Sequence, residues 1–282
     1  MGVKIATDTS CDLPDEELRR YNIELIPLRI TFDDGQTFLD RIEISPSAFV
    51  EKMVKSKCLP KTAAPDPDAF ASCFQKGLKV EGQVLFMSLS SGLSSTYQTA
   101  VLASNMLGSH SICIFDTLAA SLGTGIAAIK AARLAALGMN VHAIVEKLSV
   151  IRKTRQLFFT LDTLENVVKG GRLSPIQGMA GNVLNIKPIL KVNDRGVPDI
   201  VGKVRGRNKA IRRLVDIIGE VPGLNPGEKM IGVSHVACPE DAARLAMYIE
   251  ERYRPAEPVI IGEMAATIGI YAGVGGLMVN LL

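Results

Sequence analysis

The hydrophobic positions fall into short blocks that end in polar turns, and their order predicts alternating strands and helices. Val3-Lys4-Ile5-Ala6 reads as a buried strand that runs into the polar loop Thr7-Asp8-Thr9-Ser10-Cys11-Asp12; Pro14 and the acidic Asp15-Glu16-Glu17 then open a helix. The same grammar recurs where Val84-Leu85-Phe86-Met87 leads through Ser88-Leu89-Ser90-Ser91-Gly92-Leu93-Ser94-Ser95-Thr96-Tyr97-Gln98 into a helix carrying Ala100, Ala103 and Leu107. Between them, residues 23 to 32 form a strand region closed by Asp33-Asp34-Gly35, with Pro27 marking an edge or a break. Residues 60 to 67 read as a stiff loop, because Pro65 and Pro67 bias the residues before them toward extended backbone. Asp66 is then expected to cap, and Pro67 to start, a helix through Phe70 and Phe74. A strand at Ile112-Cys113-Ile114-Phe115 and two helices, Leu118 to Leu137 and Val141 to Arg152, complete a βα alternation that implies a parallel, doubly wound sheet.

Beyond about residue 153 the pattern changes. Leu157 to Leu161 is a strand, Ile186 to Val192 and Val197 to Val204 read as adjacent antiparallel strands around Asn193-Asp194-Arg195-Gly196, and further helices and strands follow. The expected architecture is therefore α/β with two domains, a doubly wound parallel sheet in residues 1–153 and a mixed sheet in residues 154–282. Residues 268 to 276 are expected to form a glycine-rich loop before apolar Leu277-Met278-Val279.

Composition narrows the function classes. With 282 residues, 47% hydrophobic and 22% charged, the chain can bury two real cores. Cys11, Cys58, Cys73, Cys113 and Cys238 are odd in number and show no C-x-x-C spacing, which argues against a disulfide framework or a zinc site and for reduced thiols in a cytoplasm. A net charge of +3, no tryptophan and few aromatics give no footprint for nucleic acid. The most apolar run, Ser121 to Leu137, is interrupted by Gly123, Gly125, Lys130 and Arg133, so no stable membrane insertion is expected.

The serine-rich turn carries the sharpest chemical signal. The first turn of a helix exposes unpartnered N–H groups at the positive end of the peptide dipoles, and the hydroxyls of Ser94, Ser95 and Thr96 add donors there, so a carboxylate or phosphate is the natural guest. The alternative is a plain helix cap with Gly92 making the turn. Gly92-Leu93-Ser94-Ser95-Thr96 also misses the G-x-S-x-G nucleophile elbow by one residue, leaving open a serine hydrolase for acyl esters with Ser94 as nucleophile and His235 as base. No phosphate loop, dinucleotide fingerprint or metal motif is present, so no cofactor and no metal are expected. Lys203, Arg205, Arg207, Lys209, Arg212 and Arg213 form the densest basic run, either a solvated helix start or a docking surface for an acidic partner.

Taken in order, the segments Thr7 to Leu13, Lys61-Thr62-Ala63-Ala64-Pro65, Ser90 to Gln98, Asp116-Thr117, Lys169-Gly170-Gly171-Arg172-Leu173 and the terminal glycines resemble the DegV family over essentially the whole chain. Members of that family bind long-chain fatty acids, and some are the acyl-carrying subunit of bacterial fatty-acid kinase. The resemblance implies a fatty acid held between the two domains, no catalysis by this chain itself, and a separate kinase catalytic subunit as partner. By position, Thr62 and Ser94 resemble the family's carboxylate ligands, and Arg172 and Arg205 fall in its basic motifs near the mouth and partner face. Two departures stand out: Ser95 replaces a usual glycine, and Tyr271 stands in the terminal loop where the family usually has histidine. Both hydroxyls are expected at the carboxylate.

Overall fold

The computed structural model describes residues 2–174 and 185–282. The amino-terminal part runs β1 (Gly2–Asp8), α1 (Asp15–Arg20), β2 (Glu24–Ile26), β3 (Arg29–Thr31), β4 (Thr37–Leu39), α2 (Pro46–Lys55), β5 (Lys61–Ala63), α3 (Pro67–Glu81), β6 (Gly82–Ser88), α4 (Thr96–Leu107), β7 (Ile112–Asp116), α5 (Leu122–Ala136) and α6 (Val141–Lys153). Strands β2, β1, β6 and β7 lie in that order as a parallel sheet. Successive side chains on a strand point to opposite faces. Leu85 and Met87 accordingly pack under α5 and α6, while Val84 and Phe86 pack under α3 and α4 with Phe70 and Phe74. Burial on both faces is why these strands read as unbroken apolar runs.

Four local expectations are refined or corrected by the structure. Residues 23–32 are two strands, because Pro27 interrupts the ladder: β2 stays in the parallel sheet, and β3 turns away to pair with β4 and β5 in a small antiparallel sheet. The extended backbone expected of residues 61–63 is used as strand β5, with Thr62 opposite Ile30. Asp66 sits at the N-cap of α3 without capping through its side chain, since its carboxylate pairs with Arg29 instead. The helix expected from Leu118 begins at Leu122, because Leu118 and Ser121 both take left-handed φ values, 50° and 54°.

The carboxy-terminal part runs β8 (Gln156–Thr160), α7 (Glu165–Lys169), β9 (Ile186–Val192), β10 (Pro198–Arg205), α8 (Arg207–Gly219), β11 (Ile231–His235), α9 (Pro239–Tyr253), β12 (Ile260–Glu263), α10 (Ala266–Ala272) and β13 (Leu277–Leu281). Its sheet has the order β10-β9-β8-β13-β11-β12 and is mixed, with β11 and β12 parallel and the other pairs antiparallel. Helices α8 and α9 cover one face through Ile211, Leu214, Leu245 and Ile249. Phe159, Leu161, Leu190, Met264 and Met278 gather on the other side with Ile268 and Ala272.

The expected terminal loop is helical over Ala266–Ala272, and only residues 273–276 form the turn into β13, with Gly273 and Gly275 at φ of 69° and 82°. Gly269 misleads because glycine is a poor helix former. Here it serves close packing: a Cβ on it would lie 2.8 Å from Phe49 Cε1 of α2.

Candidate functional site

Three buried carboxyl groups, Asp8 and Asp40 at the ends of β1 and β4 and Asp12 after the short turn that follows β1, tie the surrounding elements together. Asp8 ends β1 and accepts from the amides of Ser10 (3.0 Å) and Leu89 (2.9 Å) and from the Ser10 hydroxyl, tying the first loop to the serine-rich turn. Asp12 accepts from the amide of Ala265 (2.9 Å), and its other oxygen lies 2.6 Å from Ser121 Oγ, which in turn lies 2.7 Å from Ser234 Oγ on β11. Asp40 accepts from the amides of Ala266 and Thr267, both at 3.1 Å, and from the Thr267 hydroxyl. Asp12 and Asp40 together satisfy the first amides of α10 from the other domain, the groups a helix start leaves without partners. Burial pushes Asp8 up to about 6 against its donors, and Asp12 up to about 8; burial also raises Asp40.

Helix α10 is thereby held over a cavity that both domains line. Leu28, Leu89, Leu93 and Ala120 contribute from one side and Phe159, Leu161, Met264, Ile268, Leu277 and Met278 from the other. The polar lining is contiguous. Thr62 Oγ1 and Tyr271 Oη are 2.7 Å apart, the Arg172 guanidinium lies 4.4 Å from the centre of the Tyr271 ring, and Arg172 Nε donates to the carbonyl of Leu93 at 3.2 Å, next to Ser94. Ser94 Oγ is 2.9 Å from Thr96 Oγ1 and accepts from the Thr96 amide at 3.3 Å. Two hydroxyls in one hydrogen bond share a single proton, so each pair, Thr62 with Tyr271 and Ser94 with Thr96, retains one proton that can turn to a guest. Two hydroxyl donors and a cation at one end of an apolar cavity match an amphiphile with an anionic head.

Of the residues expected at the carboxylate, Thr62, Ser94 and Tyr271 line this cavity together with Arg172. Ser95 is exposed, at the N-cap of α4, and is not in the lining; Arg205 is exposed at the end of β10. The basic run divides: Arg207 turns inward to Asp241 (2.6 Å) and the Gly275 carbonyl (2.6 Å), Arg213 pairs with Glu220, Arg212 stacks on Tyr248, and Lys209 is exposed. Sequence reasoning missed Thr267 and the wall residues Leu89 and Leu93, although two leucines inside a serine-rich turn were a readable sign of an apolar surface there. It also missed Asp40, whose role depends on amides 226 residues away and leaves no local pattern.

Among the described residues, Ser94 and His235, the pair a hydrolase would need, are not hydrogen-bonded to each other. Ser94 bonds to Thr96, whereas His235 Nδ1 accepts from the Cys238 amide at 3.3 Å and burial lowers the imidazole's pKa. The strained turn of a nucleophile elbow belongs here to Ser121, at φ 54° and ψ −141°, and that side chain is wholly buried. Among the described residues no three metal-ligating side chains cluster, and no helix is long and apolar enough to cross a membrane.

Comparison with known proteins gives a consistent result. The model of the DegV family, described as uncharacterised protein, matches residues 2–281. A DegV domain-containing protein of Listeria innocua is 31% identical over 277 residues, 98% of this chain and 96% of its own. The structure of a DegV family protein from Thermus thermophilus, reported for its fatty acid binding, superposes with a TM-score of 0.90 at 27% identity over the full length of both chains. DegV from Bacillus subtilis, a fatty acid binding protein, does so with a TM-score of 0.86 at 29% identity, covering 100% of this chain and 99% of its own. On sequence and on fold, the chain belongs to the DegV family.

Proposed function

We propose that this protein binds a long-chain fatty acid in the cavity between its domains and presents the carboxylate to a separate ATP-dependent kinase. The observation that carries the reading is the contiguous head of Thr62, Tyr271, Arg172 and Ser94 on an otherwise apolar cavity. Burying some fourteen methylenes at about 0.8 kcal/mol each contributes on the order of 11 kcal/mol before the costs of association. The head then fixes which end lies at the mouth. The fatty acid binding of the Thermus and Bacillus relatives supports the ligand, and the resemblance to acyl-carrying subunits supports the partner. In this reading the kinase supplies ATP and the phosphoryl-transfer groups, and this chain, without catalysis or cofactor of its own, positions the nucleophilic carboxylate in the cytoplasm. Arg172 serves the mouth, and exposed Arg205 and Ser95 serve the face that meets the partner and the outer rim. Native and denaturing mass spectrometry of the purified protein tests the ligand. A saturated or monounsaturated long-chain fatty acid is expected; absence of lipid, together with no thermal shift on adding one, overturns the reading.

A further inference from the structure

The turn that presents Ser94 is held by the opposite domain through groups that do not line the cavity. Arg155, at the start of the second domain, donates from Nε to the carbonyl of Leu118 (2.9 Å), from Nη1 to that of Arg152 (2.9 Å), and from Nη2 to those of Asn193 (2.9 Å) and Asp194 (3.4 Å). Its acceptors are therefore all backbone carbonyls, drawn from the loop after β7, the end of α6 and the tip of the β9–β10 hairpin. The hairpin tip lies directly on the serine turn: Ser90 Oγ donates to the Gly196 carbonyl at 2.8 Å, and the Ser90 amide donates to the Ala119 carbonyl at 2.8 Å. The approach leaves no room for side chains. A Cβ at Gly92 would lie 2.7 Å from the Arg195 carbonyl oxygen, and one at Gly196, whose φ is +76°, would run into Ser90 Oγ. The Ser90 carbonyl in turn accepts from the amides of Leu93 (3.0 Å) and Ser94 (3.3 Å), and Arg172 holds the Leu93 carbonyl from the other side.

We infer that Arg155 and Ser90 are positioning residues for the anionic head: the guanidinium fixes the hairpin tip, the tip fixes Ser90, and Ser90 fixes the turn that aims Ser94 into the cavity. Neither touches the ligand in this account. A guanidinium suits the task because its planar fork holds several carbonyls in one fixed geometry, which an ammonium on a flexible stem cannot do. The inference rests on the proposed fatty-acid reading, so its test separates the head from the tail. Hexadecanoic acid and hexadecanol share the tail and differ only in the head, and each is titrated against a bound fluorescent fatty acid in wild type, Arg155→Lys and Ser90→Ala. Wild type is expected to prefer the acid, and both variants to lose about fivefold or more of that preference, on the scale of one ordinary net hydrogen bond, while their affinity for the alcohol stays within twofold. Equal losses for acid and alcohol, or an unchanged preference in Ser90→Ala, overturn the inference. Should Arg155→Lys not fold, Ser90→Ala decides, because it removes one hydroxyl and leaves the guanidinium's four carbonyls in place. No binding of either compound by wild type is a different result, and it removes the fatty-acid reading itself.

Discussion

At Tyr271 three contacts meet: the hydroxyl of Thr62 at 2.7 Å, the guanidinium of Arg172 over its ring, and the apolar cluster that includes Phe49, Ala266 and Ile270. The phenol therefore orients two other head groups besides offering a proton of its own. Tyr271→Phe keeps the ring under Arg172 but removes the bond to Thr62, and it should weaken fatty-acid binding by about 1 kcal/mol. Titration of a fluorescent fatty acid checks this, and equal affinities would place the ligand's head elsewhere. Ser94 makes the second test. If it only donates to a carboxylate, Ser94→Ala should cost roughly 1 to 3 kcal/mol in binding, the range for a bond to a charged group. Wild type should then resist a fluorophosphonate probe. Stoichiometric labelling that vanishes in Ser94→Ala would instead mean that Ser94 is a nucleophile. Of these residues only Ser94 stood out by itself, in a polar turn between an apolar strand and a helix, whereas Thr62, Arg172 and Tyr271 were placed by resemblance to the family. What could not be read was their partnership: Thr62 and Tyr271 are 209 positions apart, and only the crossing of β5 with α10 joins them.

Helix α10 shows at the scale of an element why local pattern stops short. Its seven residues are too few to be stable alone. Its stability comes from outside, through Asp40 and Asp12 on its first amides and Phe49 against Gly269. The sequence shows the glycines and the small residues but not these contacts, so the segment reads as a loop. By contrast α3 and α9, with Pro67 and Pro239 at their starts, and strands β6 and β7, with their unbroken apolar runs, carry their own signals. The dependence of α10 on Asp40 can be measured. Asp40→Ala leaves two amides and the Thr267 hydroxyl without their acceptor, and it should destabilise the protein by about 1 to 3 kcal/mol. Because α10 carries both Thr267 and Tyr271, fatty-acid affinity should fall in the same variant. Urea unfolding and ligand titration on one preparation test the two together; a stability loss with unchanged affinity would show that α10 keeps its place without this cap.

Across the whole molecule the domains are joined by polar groups that hardly meet water, and this makes their union sensitive to pH. Asp12, Ser121 and Ser234 form a chain from the first loop, through the start of α5, to β11 of the second sheet. A hydroxyl has one proton, so Ser121 cannot donate to both neighbours at once. With an ionised Asp12, Ser234 must donate to Ser121 and Ser121 to the carboxylate; a neutral Asp12 instead donates to Ser121, which then donates to Ser234. The neutral arrangement agrees with burial pushing Asp12 from 3.8 up to about 8. A carboxyl raised in the folded state holds a proton that the unfolded chain has already released. Its contribution to stability is therefore complete below about pH 4 and is lost as pH rises through about 8, by at most about 1.4 kcal/mol per pH unit. Asp8, pushed up to about 6, adds the same sign over a lower window. Asp12→Asn mimics the neutral acid, since its amide nitrogen can donate to Ser121 while its oxygen accepts from Ala265. The variant should match wild type near pH 4 and become relatively more stable as pH rises to about 8, where the difference levels off. Urea midpoints of the two proteins measured from pH 4 to 9 should diverge in that direction. Parallel curves would mean that Asp12 is ionised throughout, and that the seam is held by a carboxylate accepting two hydrogen bonds rather than by a shared proton.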